Sequence, residues 1–414
     1  MTLDKSALSQ FYKEEITENF WPFWEKAFDH EYGGVFTCFS NDGSKLVSTD
    51  KYTWSQGRFL WLCSELYEMA VNNDLEIDTD QLKHFAFQTY GFLRKYTILP
   101  NFNILYAVSK EGKMIEEQKD ISVFADAFFI LGVNKYAHKF KDRDAFGVAH
   151  AVYRSVLERV KEGSFKTEPY PIPVGYTSHS IHMILLNVTQ ELADTAKALG
   201  HAAFREIAEE CRGYSAFIMD NLLQDDGRIV ELSPKDRKNF ETLLTRHSNP
   251  GHAIESVWFH IHSLPYLERE DGWLLEKCSK IVLHALQSGW DKTDDGLLRF
   301  VDKYGGVPTG LLKGSPYEKL IIDTWDTKLW WPHTEALYTT LLMYEKTGNQ
   351  EFLDWYEKVS LYTFDTFPNT ENTSREWIQI RDRKGKPLNK VVALPVKDPF
   401  HILRNFILII KLLK

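Results

Sequence analysis

The sequence predicts an all-α protein of about a dozen helices, for which a closed double ring is the economical arrangement. Three observations lead there. Apolar residues recur at three- and four-residue spacing from end to end. No stretch rich in Pro, Gly and Ser interrupts that pattern as a linker would. Short acidic and Gly-containing segments recur between the helices, which hints at a repeated helical-hairpin unit. Paired helices stack either as an open solenoid or as a closed ring. A solenoid caps its ends with polar helices, whereas HILRNFILIIKLLK at 401–414 is an apolar helix that has to be buried against something. An inner ring wrapped by an outer one meets that demand within a single domain spanning 1–414.

Taken in order, the pattern predicts helices at 5–28 and 54–73, the second opening with KYTWSQGRFLWLCSELY, where Trp54, Arg58, Trp61 and Glu65 fall at helical spacing. Segments 79–97, 121–138 and 143–161 follow, then 178–197 with SHSIHMILLNVTQEL, and 201–222. Asn249-Pro250-Gly251 is a turn signal, so the next helix, 251–264, starts near His252. After 271–288 come 329–347, opening with KLWWPHTEAL, then 350–366, and finally 400–413 behind Pro399, a residue suited to a helix start. The intervening DHEYGGVFTCFSNDGS (29–44), DDGRIVEL (225–232) and DDGLLRFVDKYGG (294–306) begin with turn chemistry and continue with alternating apolar residues. They predict small hairpins.

With 43% hydrophobic and 26% charged residues, the 414-residue chain has the make-up of a folded globular protein. Its 12 Trp, 19 Tyr and 27 Phe supply core volume and also flat walls on which sugars stack. A net charge of -9 without a basic block argues against nucleic acid or an anionic membrane as partner. Cys38, Cys63, Cys211 and Cys278 are far apart and form no CxxC, which predicts reduced structural thiols. No targeting segment or membrane span is visible, so the expected location is the cytoplasm.

Residues suited to chemistry gather at predicted helix starts. His252 and Glu255 in RHSNPGHAIE share a helix face, and a carboxylate near an imidazole orients it and raises its basicity. A loop histidine in a plain salt bridge is the alternative. His401 of DPFHILRNF lies in the first turn of its helix, where the dipole favours the neutral ring, with Arg404 three residues on. Arg58 is able to bind a sugar oxygen or an enolate, and Trp54 to stack on a pyranose. KLWWPHTEAL repeats the mixture with Trp330, Trp331, His333 and Glu335, while His179 and His182 sit on an otherwise apolar helix. No HExxH, cysteine cluster or dense histidine pattern specifies a metal, and GxSxG, GxGxxG and the Walker A pattern are missing.

The stretches EYGGVFTCF, KYTWSQGRFLW, SVFADAFFILGVNKYA, LLNVTQEL, RHSNPGHAIE, KLWWPHTEAL, YTFDTF and DPFHILR, in that order, resemble the N-acylglucosamine 2-epimerase family over essentially the whole chain. The resemblance implies an (α/α)6 barrel of six inner and six outer helices. Carried over, the family's two catalytic histidines fall on His252 and His401, its QGR arginine on Arg58, and the glutamate after the first histidine on Glu255. Trp54, His182, Arg246, Trp331 and Glu335 are then expected to bind substrate. No metal and no cofactor is expected for the chemistry; ATP, an activator of some members, enters as an effector at most, and a homodimer is an open expectation.

That resemblance implies a sugar 2-epimerase interconverting N-acetylglucosamine and N-acetylmannosamine. The near alternative is an aldose–ketose isomerase or a 2-epimerase of unmodified sugars such as mannose or cellobiose, toward which His182 leans. A glycoside hydrolase on a similar ring would rely on a carboxylic acid such as Asp126 or Glu335. A sugar-binding module would have no need of two candidate bases.

Overall fold

The computed structural model describes residues 3–371, 375–391 and 395–414. In chain order the helices are α1 (Lys5–Glu14) and α2 (Trp21–Lys26), joined by the π-helical Glu15–Phe20, then α3 (Thr53–Val71), α4 (Thr79–Tyr96), α5 (Val123–Phe140) and α6 (Arg143–Glu162). Next come α7 (His179–Ala198), α8 (Phe204–Phe217) with its π-helical extension Ile218–Leu222, the short α9 (Leu243–Arg246), α10 (Pro250–Ser263) and α11 (Asp271–Gly289). The last four are α12 (Pro316–Thr324), α13 (Trp330–Thr347), α14 (Gln350–Thr366) and α15 (Phe400–Leu412).

Burial separates these helices into two rings. In α3 every residue from Ser55 to Leu66 is buried, the signature of a helix surrounded on all sides. In α6 only one stripe, including Phe146, Val152 and Tyr153, is buried, while the opposite face meets solvent. The inner ring runs α3, α5, α7, α10, α13 and α15, each packed on the next, and α15 returns to α3. Outside it, α4, α6, α8, α11 and α14 each cover the inner helix that precedes them, and α1 covers α15. This is the (α/α)6 barrel, and burying Phe406, Ile407, Ile409 and Ile410 of α15 is part of what closes it.

Close backbone contact sets the spacing of α3 and α5. A Cβ on Gly57 would lie 2.1 Å from the Phe128 carbonyl oxygen, and one on Gly132 would lie 2.2 Å from the Gly57 oxygen. Only hydrogen fits at either position, and the contact brings Arg58, the next residue of α3, against the rings of α5.

Four two-stranded antiparallel ladders lead into inner helices. Lys51–Tyr52 pairs with Ala107–Val108, Tyr176–Ser178 with Leu232–Pro234, His247–Ser248 with Val301–Asp302, and Lys328–Leu329 with Ile380–Arg381. The hairpins expected at 29–44, 225–232 and 294–306 therefore shrink to single bridges such as Phe28↔Val35, Leu223↔Ile229 and Trp290↔Leu297. The strand-forming residues downstream of two of them find partners ahead of an inner helix instead. Helix α12 was not expected from the periodicity, being only nine residues long, although its Ser315–Glu318 capping box is a readable start signal.

Buried lysines tie the loops down beside three of the inner helices. Lys51 donates to Asp29 at 2.7 Å and to the Gly33 and Lys110 carbonyls, while Lys397 meets Glu376 at 2.7 Å and the carbonyls of Asn41 and Trp377. Lys328 lies 3.4 Å from Asp291 and donates to the Asp294 carbonyl. An ammonium this deep requires a carboxylate partner and satisfied donors, which these loops supply. The four cysteines are all buried and free. Among the described residues no helix is long and apolar enough to cross a membrane.

Candidate active site

The N-terminal turns of the six inner helices converge on a cavity of about 210 Å³. Its wall takes Arg58 from α3, Phe128 from α5, His252 and Glu255 from α10, Trp331 from α13 and His401 from α15. Five of the residues singled out in the sequence thus meet in one place, although they are spread over more than 340 positions. Trp54 joins them, stacked on Phe128 with ring centroids 5.0 Å apart.

His401 is held from behind. Its Nδ1 lies 2.7 Å from Oε1 of Glu335, a fully buried carboxylate that also accepts from Trp258 Nε1, Arg404 Nη2 and Asn405 Nδ2. Arg404 and His401 hold the Glu335 carboxyl below its ordinary range despite its burial, so Nδ1 donates and Nε2 keeps the lone pair. Burial first, then the nearby Arg58 and Arg404 charges, push the His401 ring down to about 3 against the opposing pull of Glu335. His401 is neutral at physiological pH.

His252 is set the other way. Asn249 caps α10 by accepting the His252 N–H, and Pro250 takes the first helical position, so the imidazole stands at the helix mouth. Its Nδ1 lies 2.9 Å from Oε1 of Glu231. Burial lowers the imidazole, but the Glu231 charge and hydrogen bond outweigh it and leave His252 above its ordinary value. Glu231 itself, raised by burial, is brought far below the carboxylate range by His252 and His179. The two imidazoles thus have pKa values driven apart, the arrangement that sorts a proton donor from a proton acceptor.

Trp331 neighbours both, its ring 5.4 Å from His252 and 5.7 Å from His401. Gly251 makes room for it: a Cβ there would lie 2.5 Å from the indole.

The expected pairing of Glu255 with His252 is replaced. Glu255 instead accepts from Arg404 Nη2 at 2.5 Å and lies 3.8 Å from His401 Nδ1, while Glu231 takes the place beside His252. Glu335 stands behind His401 and does not line the cavity. His182 and Arg246 are not brought to the cavity. His182 stacks on Phe217 at 3.9 Å with Nδ1 on the Ser178 carbonyl, and Arg246 is committed to Asp302 and Glu241. From the helix that carries His182, Ser180, Met183 and Ile184 reach the cavity instead.

Among the described residues two donor sets lie close enough together to grip a cation: His179, Glu231 and His252, and Glu255, Glu335 and His401. In the second the Arg404 guanidinium already bridges both carboxylates, and in the first a hydrogen bond already joins His252 to Glu231, with His179 Nδ1 3.5 Å from the other carboxylate oxygen.

Removing the Glu231 charge has a signed consequence for pH dependence. On an assignment of His401 as proton acceptor and His252 as proton donor, activity is expected to hold from the low titration of His401 up to the raised titration of His252. Glu231→Gln leaves the burial and deletes the charge, so the alkaline limb moves to lower pH. At pH 8 kcat is expected to fall by about tenfold, with less loss near pH 6, as read from a pH–rate profile.

A family model described as N-acylglucosamine 2-epimerase (GlcNAc 2-epimerase) matches residues 34–404. The chain belongs to this family. N-acylglucosamine 2-epimerase of Bos taurus is 28% identical over 388 residues, 92% of this chain and 86% of that protein. Cellobiose 2-epimerase of Eubacterium cellulosolvens is 22% identical over 411 residues, 94% of each chain. The structure of cellobiose 2-epimerase from Bacillus thermoamylovorans B4167 shares the barrel, with a TM-score of 0.79 at 17% identity over 98% of this chain and 99% of that one. Membership in the N-acylglucosamine 2-epimerase family makes the chain an isomerase.

Proposed function

We propose that this protein interconverts N-acetylglucosamine and N-acetylmannosamine by moving the proton on carbon 2 between His401 and His252. The observation that carries the reading is the pair of oppositely tuned imidazoles that line one cavity, each beside Trp331. The open-chain sugar presents a carbonyl at carbon 1. The C2–H bond breaks with its proton going to His401 Nε2 and its electron pair forming C1=C2, while the carbonyl pair moves to oxygen as an enolate. Arg58 stabilises that oxygen. His252 then gives its proton to carbon 2 from the other face, and the oxygen electrons re-form the carbonyl. Trp54 and Trp331 supply flat walls for the sugar.

The resting protonation favours the epimer whose C2–H faces His401. The other epimer enters once the imidazoles have exchanged states.

Two-base proton transfer proceeds without a redox or metal cofactor, and ATP enters this reading only as an effector. Residues 1–414 act as one catalytic domain, because the cavity is complete only when α15 meets α3. The buried free thiols suit a reducing cytoplasm, and a homodimer is compatible with the exposed outer helices.

The test is proton NMR of N-acetylmannosamine incubated with the protein in deuterated water, with and without ATP. Appearance of N-acetylglucosamine carrying deuterium at carbon 2 is expected. A ketose product from mannose would make the protein an isomerase of unmodified sugars, epimerised cellobiose would move the substrate to disaccharides, and no exchange into any aldose would end the reading.

A further inference from the structure

Arg58 and His401 share one hydrogen bond, and a substrate needs both groups. His401 Nδ1 is committed to Glu335, so Nε2 is the lone pair left to act as base. An arginine only donates, and Arg58 Nη2 lies 3.2 Å from that same Nε2. Held this way, the base is neutral but covered.

The other end of the guanidinium is anchored. Arg58 Nη1 donates to Asp398 Oδ2, and the plane lies 3.9 Å from the centroid of Phe128, with Trp54 and Phe400 each 5.1 Å away. Asp398 has little freedom of its own: its Oδ1 accepts the Phe400 N–H at 2.8 Å, and Gln379 bonds both its backbone N–H and its carbonyl at 3.0 Å. Arg58 Nε, buried, has no hydrogen-bond partner. Two of the guanidinium's five N–H groups are thus engaged, one on a fixed acceptor and one on an exchangeable acceptor, both beside the cavity, and Nε–H is among those left.

We propose that Arg58 covers the His401 lone pair until a sugar carbonyl oxygen takes over its donors, and that Asp398 is the positioning residue holding the guanidinium within reach of both acceptors. The idea rests on His401 being the base. The exchange is favourable because a neutral ring nitrogen is traded for an oxygen that gains negative charge as the C2–H bond breaks. It also links the two halves of the chemistry. The base is bared by the same contact that prepares the carbonyl, so a ligand without a carbonyl oxygen at that point leaves His401 covered.

The experiment is a long-range proton–nitrogen spectrum of the full-length protein labelled with 15N-histidine, His401 being assigned by its loss in His401→Asn. An accepted hydrogen bond moves an imidazole nitrogen upfield from its free position. Adding N-acetylmannosamine is expected to move His401 Nε2 downfield, toward the position it takes in sugar-free Arg58→Met. Asp398→Asn is expected to lie between the two without sugar and to lose about tenfold in kcat with a smaller change in KM. Asp398→Glu is expected to return both readings toward wild type. If the sugar-free wild-type resonance already coincides with that of Arg58→Met, the cover does not exist. If added sugar shifts the His252 resonance and leaves His401 unmoved, Arg58 is not released. The sugar-free comparison needs no turnover, so it stands or falls apart from the deuterium test of the reaction.

Discussion

His401→Asn is expected to lower kcat by about 10³-fold and to stop solvent deuterium from entering carbon 2 of the epimer whose C2–H faces it. His252→Asn is expected to lose epimerisation to a similar degree and yet keep that exchange. The difference follows from the order of events: His401, neutral, takes the proton, and without His252 the enolate is reprotonated only from the face it left. Deuterium then accumulates in unconverted sugar. Asparagine fills much of the imidazole's space, so circular dichroism should show both variants folded. Equal loss of exchange in the two variants, or residual inversion in either above a hundredth of wild type, would remove the two-base assignment.

Arg404→Met is expected to be the most destabilising single change near the site, at about 3–5 kcal/mol, or roughly 5 °C in melting temperature. The guanidinium is 2% exposed and bridges Glu255 and Glu335, at 2.5 and 2.7 Å. Methionine keeps much of the volume and leaves two facing carboxylates without a cation. Burial and Glu335 already raise Glu255 above its ordinary value, whereas Arg404 and His401 hold Glu335 below its own; the loss of Arg404 moves both groups upward. The sign is then fixed: both carboxyls titrate higher in the folded variant than in folded wild type, so the deficit is full at neutral pH and shrinks as falling pH protonates the pair. Differential scanning calorimetry at pH 5 and pH 8 checks it. A deficit that is larger at pH 5 would show that the carboxylates are not the cause. Adding Glu255→Gln should recover part of the loss by removing one of the two charges.

Much of this arrangement could be read from the residues, because a helix declares itself by its period. All twelve long helical segments were visible, and so was the habit of placing His252, His401, Arg58, Trp54 and Trp331 near helix starts. Direction of pointing was less visible. One helical step turns a side chain by about 100°, enough to send His182 against Phe217 while Ser180 and Met183 face the cavity.

Glu231 escaped because it acts across the fold. It lies in an extended segment 21 positions before His252 and reaches it through the ladder that pairs Leu232 with Ser178. A signal was present in DDGRIVEL all the same: Ile229, Val230 and Leu232 are buried, and an acid inside such a run has to be neutralised by something. Asp398 was likewise in view beside Pro399, but its bond to Arg58 joins positions 340 residues apart.

Ring closure has a consequence for the order of biosynthesis. His252 and its wall are translated long before α15, and until that last inner helix emerges and docks between α13 and α3 the proposed proton acceptor is missing and a seam of apolar surface stays open. A nascent chain halted before Phe400 would be catalytically silent and prone to stick, so competence and solubility arrive together, in a single late step.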